Sequence, residues 1–289
     1  MVDKAGLLYP CLMSEFRALV TASHGTDSAA GSAAIAALVE EVRKLAGAQC
    51  VVLEAFVDVQ KPSVDEVLLH RALKCPGDSI TVVPLLLSTG YHVRQDIANA
   101  AFATNNQTGA EVNISPALGP DQRLVDVLVE RLTQVGATAQ DIIVLCAAGS
   151  SDSRALAEVE LVQAMLAEQL TSLWQKPIKT ELAFLSAAEP KLKDLVPKLK
   201  FRNPRKRVIV ATYLLAPGVF ADKTREAGAH LTTDPLLSSQ SEPPAQLIDL
   251  ILDRFTQAQS RAGHTGCLDG LANREFQGCI AGCRTSCRS

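Results

Sequence analysis

The sequence predicts an α/β protein made of two tandem Rossmann-like parallel-sheet units, the second a pseudo-duplicate of the first, and three observations predict it. Continuous runs of Val, Leu and Ile alternate with stretches of helical periodicity, the pattern of parallel strands covered on both faces. The order of runs begins again half-way along the chain, which marks an internal repeat. One offset of 128 residues sets Phe184 on Phe56, Pro190 on Pro62 and Gly218 on Gly90, a coincidence that chance rarely produces.

The elements follow in order. Residues 16–22 read as the first strand, which ends in the polar loop Ser23-His24-Gly25-Thr26-Asp27, and an alanine-rich helix occupies 28–45. Residues 51–59 form a second strand. A helix then starts around Ser63 and runs to about Leu73, with Ser63 as its cap and Glu66 three residues on completing a capping box. Residues 79–87 are the third strand, Ser88-Thr89-Gly90-Tyr91-His92 the loop behind it, and 93–103 a helix. A short strand over 112–116 and a helix over 121–135, with Leu124, Val127, Leu128 and Leu132 at helical spacing, close the first copy. In the second copy 142–149 echoes 19–25, 181–190 echoes 53–62, 207–218 echoes 79–90, and 245–255 echoes the closing helix. The expected division is therefore 16–139 for the copy that carries the site, 140–257 for a degenerate repeat and 258–289 for a cysteine-containing tail.

Composition narrows the function. Of 289 residues 47% are hydrophobic and 20% charged, enough apolar material for two ordinary cores. A net charge of −3 leaves no global basic field to attract nucleic acid or an anionic membrane, so neither is expected as a partner. The longest apolar runs, such as 82–87, fall far short of the roughly 20 residues that span a bilayer. No convincing secretory signal opens the chain, and a cytoplasmic protein is expected. Residues 1–12 fit no element, so Met13 is expected as the natural start.

Three polar groups converge on one rim. His24 and His92 follow strands 1 and 3 and Asp58 lies at the end of strand 2, the edge where open α/β sheets place their ligands. Two imidazoles and a carboxylate suit a transient divalent-metal site or an acid/base pair equally, and the residues alone do not choose. Ser23-His24-Gly25 is similar to the Arg-His-Gly loop of phosphoglycerate-mutase-like phosphatases, but Ser23 stands where that family has its phosphate-holding arginine. Neither a Walker loop nor a Gly-rich dinucleotide fingerprint is present.

Ser23-His24-Gly25, then Ala55-Phe56-Val57-Asp58 ahead of Pro62, then Val83-Pro84-Leu85-Leu86-Leu87-Ser88-Thr89-Gly90-Tyr91-His92-Val93-Arg94-Gln95-Asp96-Ile97, resemble the sirohydrochlorin chelatase family, the CbiX-like class II chelatases. The resemblance covers residues 16–257 and implies a chelatase-like fold. It implies a lyase that inserts ferrous iron or cobalt, with iron for sirohaem favoured, into a reduced, carboxylate-rich tetrapyrrole without ATP or a required cofactor. It further implies that His24 and His92 face each other across a cleft, bind the incoming metal and help remove the pyrrole protons. Asp58 stands where a glutamate commonly follows Phe-Leu in the family strand, one methylene shorter. Protonated imidazoles neither ligate nor accept, so lower pH should slow such a reaction.

Substrate carboxylates need donors, and Ser23, Thr26, Ser88, Thr89 and the N–H groups that open helices are placed to supply them, with Arg94 either adding a charge or standing as a solvated first-turn residue. Asp96 reads as a helix-dipole partner rather than a catalyst. In the second copy Ala148 stands for His24, Phe220 for His92 and Ser186 for Asp58. One active site per chain is the inference, with the second copy as the other wall and 149–151 and 217–218 as its loops. A monomer or weak dimer is expected. A non-catalytic tetrapyrrole or metal carrier would use the same residues without turnover.

The eight cysteines fall into two groups. Cys50 and Cys146 sit in strand-like apolar runs, where a reduced thiol behaves as a small hydrophobe. Cys267, Cys279, Cys283 and Cys287 crowd the tail at C-x11-C-x3-C-x3-C, and the last three fall on one stripe if helical. Four thiolates suit zinc or an iron–sulfur cluster, yet this spacing matches neither a zinc ribbon nor a ferredoxin run. Cluster ligands and incidental thiols of an unstructured tail both remain open.

Overall fold

The structure is a computed structural model that describes residues 17–88 and 90–262, with 91–93 and 261–262 described by their backbone. The first copy runs β1 (Arg17–Ser23), α1 (Ala29–Leu45), β2 (Cys50–Phe56), α2 (Val64–Lys74), β3 (Ser79–Pro84), α3 (Tyr91–Thr108), β4 (Val112–Ile114) and α4 (Gln122–Gln134). The second runs β5 (Ile142–Ala147), α5 (Ser153–Trp174), β6 (Thr180–Phe184), α6 (Leu192–Arg202), β7 (Val208–Tyr213), α7 (Val219–Glu226), β8 (Leu231–Thr232) and α8 (Ala245–Ala262). Each copy builds a four-stranded parallel sheet, ordered β2-β1-β3-β4 and β6-β5-β7-β8. The predicted class, two tandem Rossmann-like units, is the one observed.

Local chemistry sets the element ends. Ser28 caps α1, its hydroxyl accepting from the Gly31 N–H at 3.3 Å. The predicted capping box opens α2: the Glu66 carboxylate accepts the Ser63 N–H at 2.8 Å, which with Lys61 lowers the Glu66 carboxyl to about 2. Asp121 and Asp152 cap α4 and α5. β2 stops at Phe56 rather than at the predicted Val59. Residues 57–60 bend away in a loop whose Val59 has φ +60° and whose Gln60 N–H closes on the Asp58 carbonyl at 2.6 Å.

Strand alternation sorts the core into layers. Ala18, Val20, Ile80 and Val82 face outward under α2 and α3, and Val144, Cys146, Val208 and Val210 do the same under α6. Leu19, Val83, Ile143, Leu145 and Ile209 face inward onto one shared core with α1, α4, α5 and α8. Cys50 and Cys146 are buried thiols in these strands, as predicted, and burial pushes the Cys146 thiol up to about 12. No helix among the described residues is long and apolar enough to cross a membrane.

The closing helices are exchanged. α4 ends the first copy but packs on α5 and β7 of the second, while α8 ends the second copy and packs on β3, β4 and α1 of the first. Each carries one arginine that clamps the other copy's backbone. Arg131 donates to the Pro235 and Leu236 carbonyls at 3.1 and 2.8 Å, and Arg254 to those of Ala117 and Leu118, both at 3.1 Å. The chain thus divides differently in space than along its sequence, and α8 continues to Ala262, past the expected boundary at 257.

Candidate functional site

The carboxyl ends of both sheets open on one cavity of about 610 Å³, a volume in the range of cofactor-sized ligands. The first copy contributes the loops after β1, β2 and β3, and the second contributes 147–150, Ser186 and the stretch from Tyr213 to Ala221. Apolar side chains dominate, among them Ile35, Phe56, Leu85, Leu156, Leu214 and Phe220. No Asp, Glu, Lys or Arg occurs among the described lining residues.

Ser23 and His24 lie where the sequence places them. Ser23 ends β1, its hydroxyl buried against the cavity and without a hydrogen-bond partner among the described residues. His24 follows, exposed and lining the cavity, its carbonyl accepting the Asp58 N–H at 3.1 Å. Gly25 turns the chain at φ +89°, and a Cβ there would collide with the Asp58 carbonyl. Thr26 also lines the cavity, but its N–H is taken by Gln60 Oε1 at 2.8 Å and its hydroxyl accepts from the Ser28 N–H at 3.1 Å. Gln60 thereby ties the first two loops together, and it also donates to Ser32 Oγ in α1 at 3.3 Å. No pattern in the sequence marks this glutamine.

Asp58 departs from expectation. It is exposed and absent from the cavity lining, where its neighbours Val59 and Gln60 stand instead. The turn at Val59 closes that residue's N–H onto the Asp58 carboxylate at 2.8 Å, which keeps the side chain in its own loop. The two histidine positions belong to the same copy. β1 and β3 are neighbours, with Ala22 paired to Pro84, so the backbone at 24 and at 92 belongs to one edge of one sheet. The opposite wall is the second copy.

Residue 92 sits in the first turn of α3, two residues after the N-cap Gly90. Ser88 and Gly90 line the cavity, while Thr89 lies outside the described residues. Arg94 is half-buried in the same turn and does not line the cavity. Hydrogen bonds from Arg154 hold the Asp152 carboxyl below the usual range, with a smaller contribution from the Arg94 charge. The described residues gather no group of three or more His, Cys, Asp or Glu that could hold a metal ion. Cys267, Cys279, Cys283 and Cys287 lie outside the described residues, as does Met13.

The second copy repeats the scaffold without the polar groups. Ser186 N–H reaches the Ala148 carbonyl at 2.9 Å as Asp58 reaches His24, Ala187 has φ +53° as Val59 has +60°, and a Cβ on Gly149 would strike the Ser186 carbonyl. Of its expected loops, Gly149, Ser150, Pro217 and Gly218 line the cavity. Tyr213 was not foreseen. It is buried at the end of β7, burial holds its phenol far above the usual range, and it donates to the Leu87 carbonyl of the first copy at 3.0 Å. A tyrosine at the end of an apolar strand is the one sequence signal for it.

The CbiX family model matches residues 18–135 and again 142–258, one match per copy. The chain belongs to the CbiX family. Among curated CbiX-like relatives, a sirohydrochlorin ferrochelatase of Priestia megaterium is 29% identical over 182 residues, 62% of this chain and 66% of its own length. A sirohydrochlorin cobaltochelatase of Sulfolobus acidocaldarius is 36% identical over 76 residues, 26% of this chain and 59% of its own. The chain thus matches less than two thirds of the length of either relative, 66% of one and 59% of the other. Among solved structures, SirB from Bacillus subtilis with Fe3+ superposes with a TM-score of 0.71 at 20% identity, covering 86% of this chain and 98% of that one, and shares the fold.

Proposed function

We propose that this CbiX-family chain is a sirohydrochlorin chelatase, inserting a divalent metal ion into the macrocycle without ATP, with ferrous iron favoured over cobalt. The observation that carries the reading is His24 set at the mouth of a cavity whose described walls are mainly apolar and carry no carboxylate. Apolar walls suit the faces of a flat macrocycle, and an imidazole is a nitrogen ligand and a proton acceptor in one side chain. Relatives that act with iron and with cobalt both stand beside this chain, so the favoured metal is part of the proposal.

Insertion exchanges two pyrrole N–H protons for one dication. In this reading the His24 imidazole offers a nitrogen to the incoming metal ion, which is a substrate, and takes a pyrrole proton as the metal passes to the ring. His92, on the same sheet edge, supplies the second imidazole. The buried Ser23 hydroxyl is a donor in want of an acceptor, and substrate within the cavity would provide one. Asp58, in its own loop, takes no part in this scheme.

The test is anaerobic absorbance of sirohydrochlorin with catalytic protein, run with ferrous iron and with cobalt, beside His24→Ala. Many turnovers that vanish in the variant are expected, faster with iron. A spectral change that stops at one equivalent would make the chain a carrier and overturn the proposal.

A further inference from the structure

Three large apolar side chains that line the cavity are exposed: Val59 at 50%, Val219 at 65% and Phe220 at 40%. Exposed apolar side chains gathered at one cavity mouth, unlike ones scattered singly, mark a surface that a ligand can cover. Two of the three belong to the first turn of α7, in the copy that lacks the histidines. Phe220 stands where the repeat offset puts His92 in the other copy.

The start of α7 is held firmly. The Pro217 carbonyl lies so close to α1 that a Cβ on Gly31 would collide with it. This contact between the copies fixes where Phe220 enters the cavity. Lys223 then stands over the Phe220 ring, its Nζ 5.0 Å from the centroid. Its neighbours are neutralised, since Arg225 pairs with Asp222 at 3.2 Å and with Asp234 at 2.9 Å. Among the described residues Lys223 has no such ion pair. The cavity lining itself supplies no described cation, so a ligand edged with carboxylates must find one at the rim.

We infer that α7 is the macrocycle-gripping element of this chain: one face of the ring lies on Phe220, and a peripheral carboxylate pairs with Lys223. The inference rests on the proposed tetrapyrrole substrate and adds which residues of the degenerate copy recognise it. The first copy would then act on the metal and protons while the second holds the ring.

Binding and turnover separate the two proposals. Metal-free sirohydrochlorin is titrated into the full chain and into Phe220→Leu, Phe220→Ala, Lys223→Gln and Lys223→Arg at about 20 and about 500 mM salt, with thermal unfolding confirming that each is folded. Phe220→Ala should weaken binding about tenfold and Phe220→Leu about threefold, since aliphatic contact survives without the stacking face. Lys223→Gln should weaken it several-fold at low salt and flatten its salt dependence, and Lys223→Arg should restore both. Turnover at low macrocycle concentration should fall by similar factors. Unchanged affinity and salt slope in Phe220→Ala and Lys223→Gln, beside a wild type that binds and turns over, would overturn the inference alone. A wild type that binds and shows these losses without turnover would overturn the chelatase reading and leave the grip standing; one that binds no macrocycle would end both.

Discussion

The two copies share a backbone and differ at one edge. Asp58 N–H to His24 carbonyl is matched by Ser186 N–H to Ala148 carbonyl, and Gly25 at φ +89° by Gly149 at +94°. The parallel sheets have the same strand order, and each copy's closing helix lies on the other's sheet. Against this sameness, the first copy sets an imidazole on its first loop and the second sets a methyl group. The scaffold constrains loop geometry through close backbone approach, and those approaches constrain glycines and carbonyls, not the residue that follows the strand. Position 24 or 148 is thus free to change its chemistry while the turn behind it is not.

The sharpest way to break that comparison is to exchange the chemistry. His24→Ala should lower kcat/KM for metallation by about 10² to 10⁴, the range of a lost proton acceptor, with its circular dichroism unchanged. Adding Ala148→His to that variant should restore nothing, because the opposite wall presents Phe220 and Ser186 around that loop. Recovery in the double variant would show the copies to be interchangeable.

The scaffold itself is probed at the arginine clamps. Arg131→Met and Arg254→Met each leave two carbonyls without their donors, at a cost of about 2–4 kcal/mol in urea unfolding. Arg131 is the more buried, so its variant should lose more. Both should still unfold in a single transition, because α4 and α8 make one core of two copies. Two resolved transitions would refute the interlock.

Gly25→Ala and Gly149→Ala test the turns that the copies share. Each imposes positive φ on a residue with a Cβ and drives that Cβ into a carbonyl, so each should cost about 1–3 kcal/mol. The expected asymmetry lies in activity: Gly25→Ala displaces His24 and should lower turnover at a temperature where the fold holds, whereas Gly149→Ala should reduce stability with turnover nearly kept. Equal losses of turnover would place functional groups in the second loop as well.

Much of this was legible beforehand because it is written in local pattern. Apolar runs of strand length, Ser63 with Glu66, and the offset that matches Phe56 to Phe184 are short-range signals, and the sheets, the capping box and the duplication follow them. The helix exchange is not local. Leu124, Val127, Leu128 and Leu132 show that α4 buries one face, but an apolar stripe does not say which sheet it meets. Tyr213 reads as a strand residue because its acceptor lies on a loop 126 residues away.

Asp58 shows what a strand pattern leaves unsaid about the loop behind it. It follows a strand adjacent to that of His24, but β2 ends two residues earlier and Val59, a β-branched residue at φ +60°, turns the loop. Nothing in a valine signals that conformation. The carboxylate instead accepts its own loop's N–H at 2.8 Å, and an asparagine oxygen can accept the same bond. Asp58→Asn should therefore change kcat/KM less than about threefold and stability by less than about 0.5 kcal/mol. That is the smallest effect expected here. A loss approaching that of His24→Ala, with the fold intact, would mean that the loop swings when the macrocycle binds and brings the carboxylate to the metal, and the division of labour between the two copies would have to be redrawn around a moving loop.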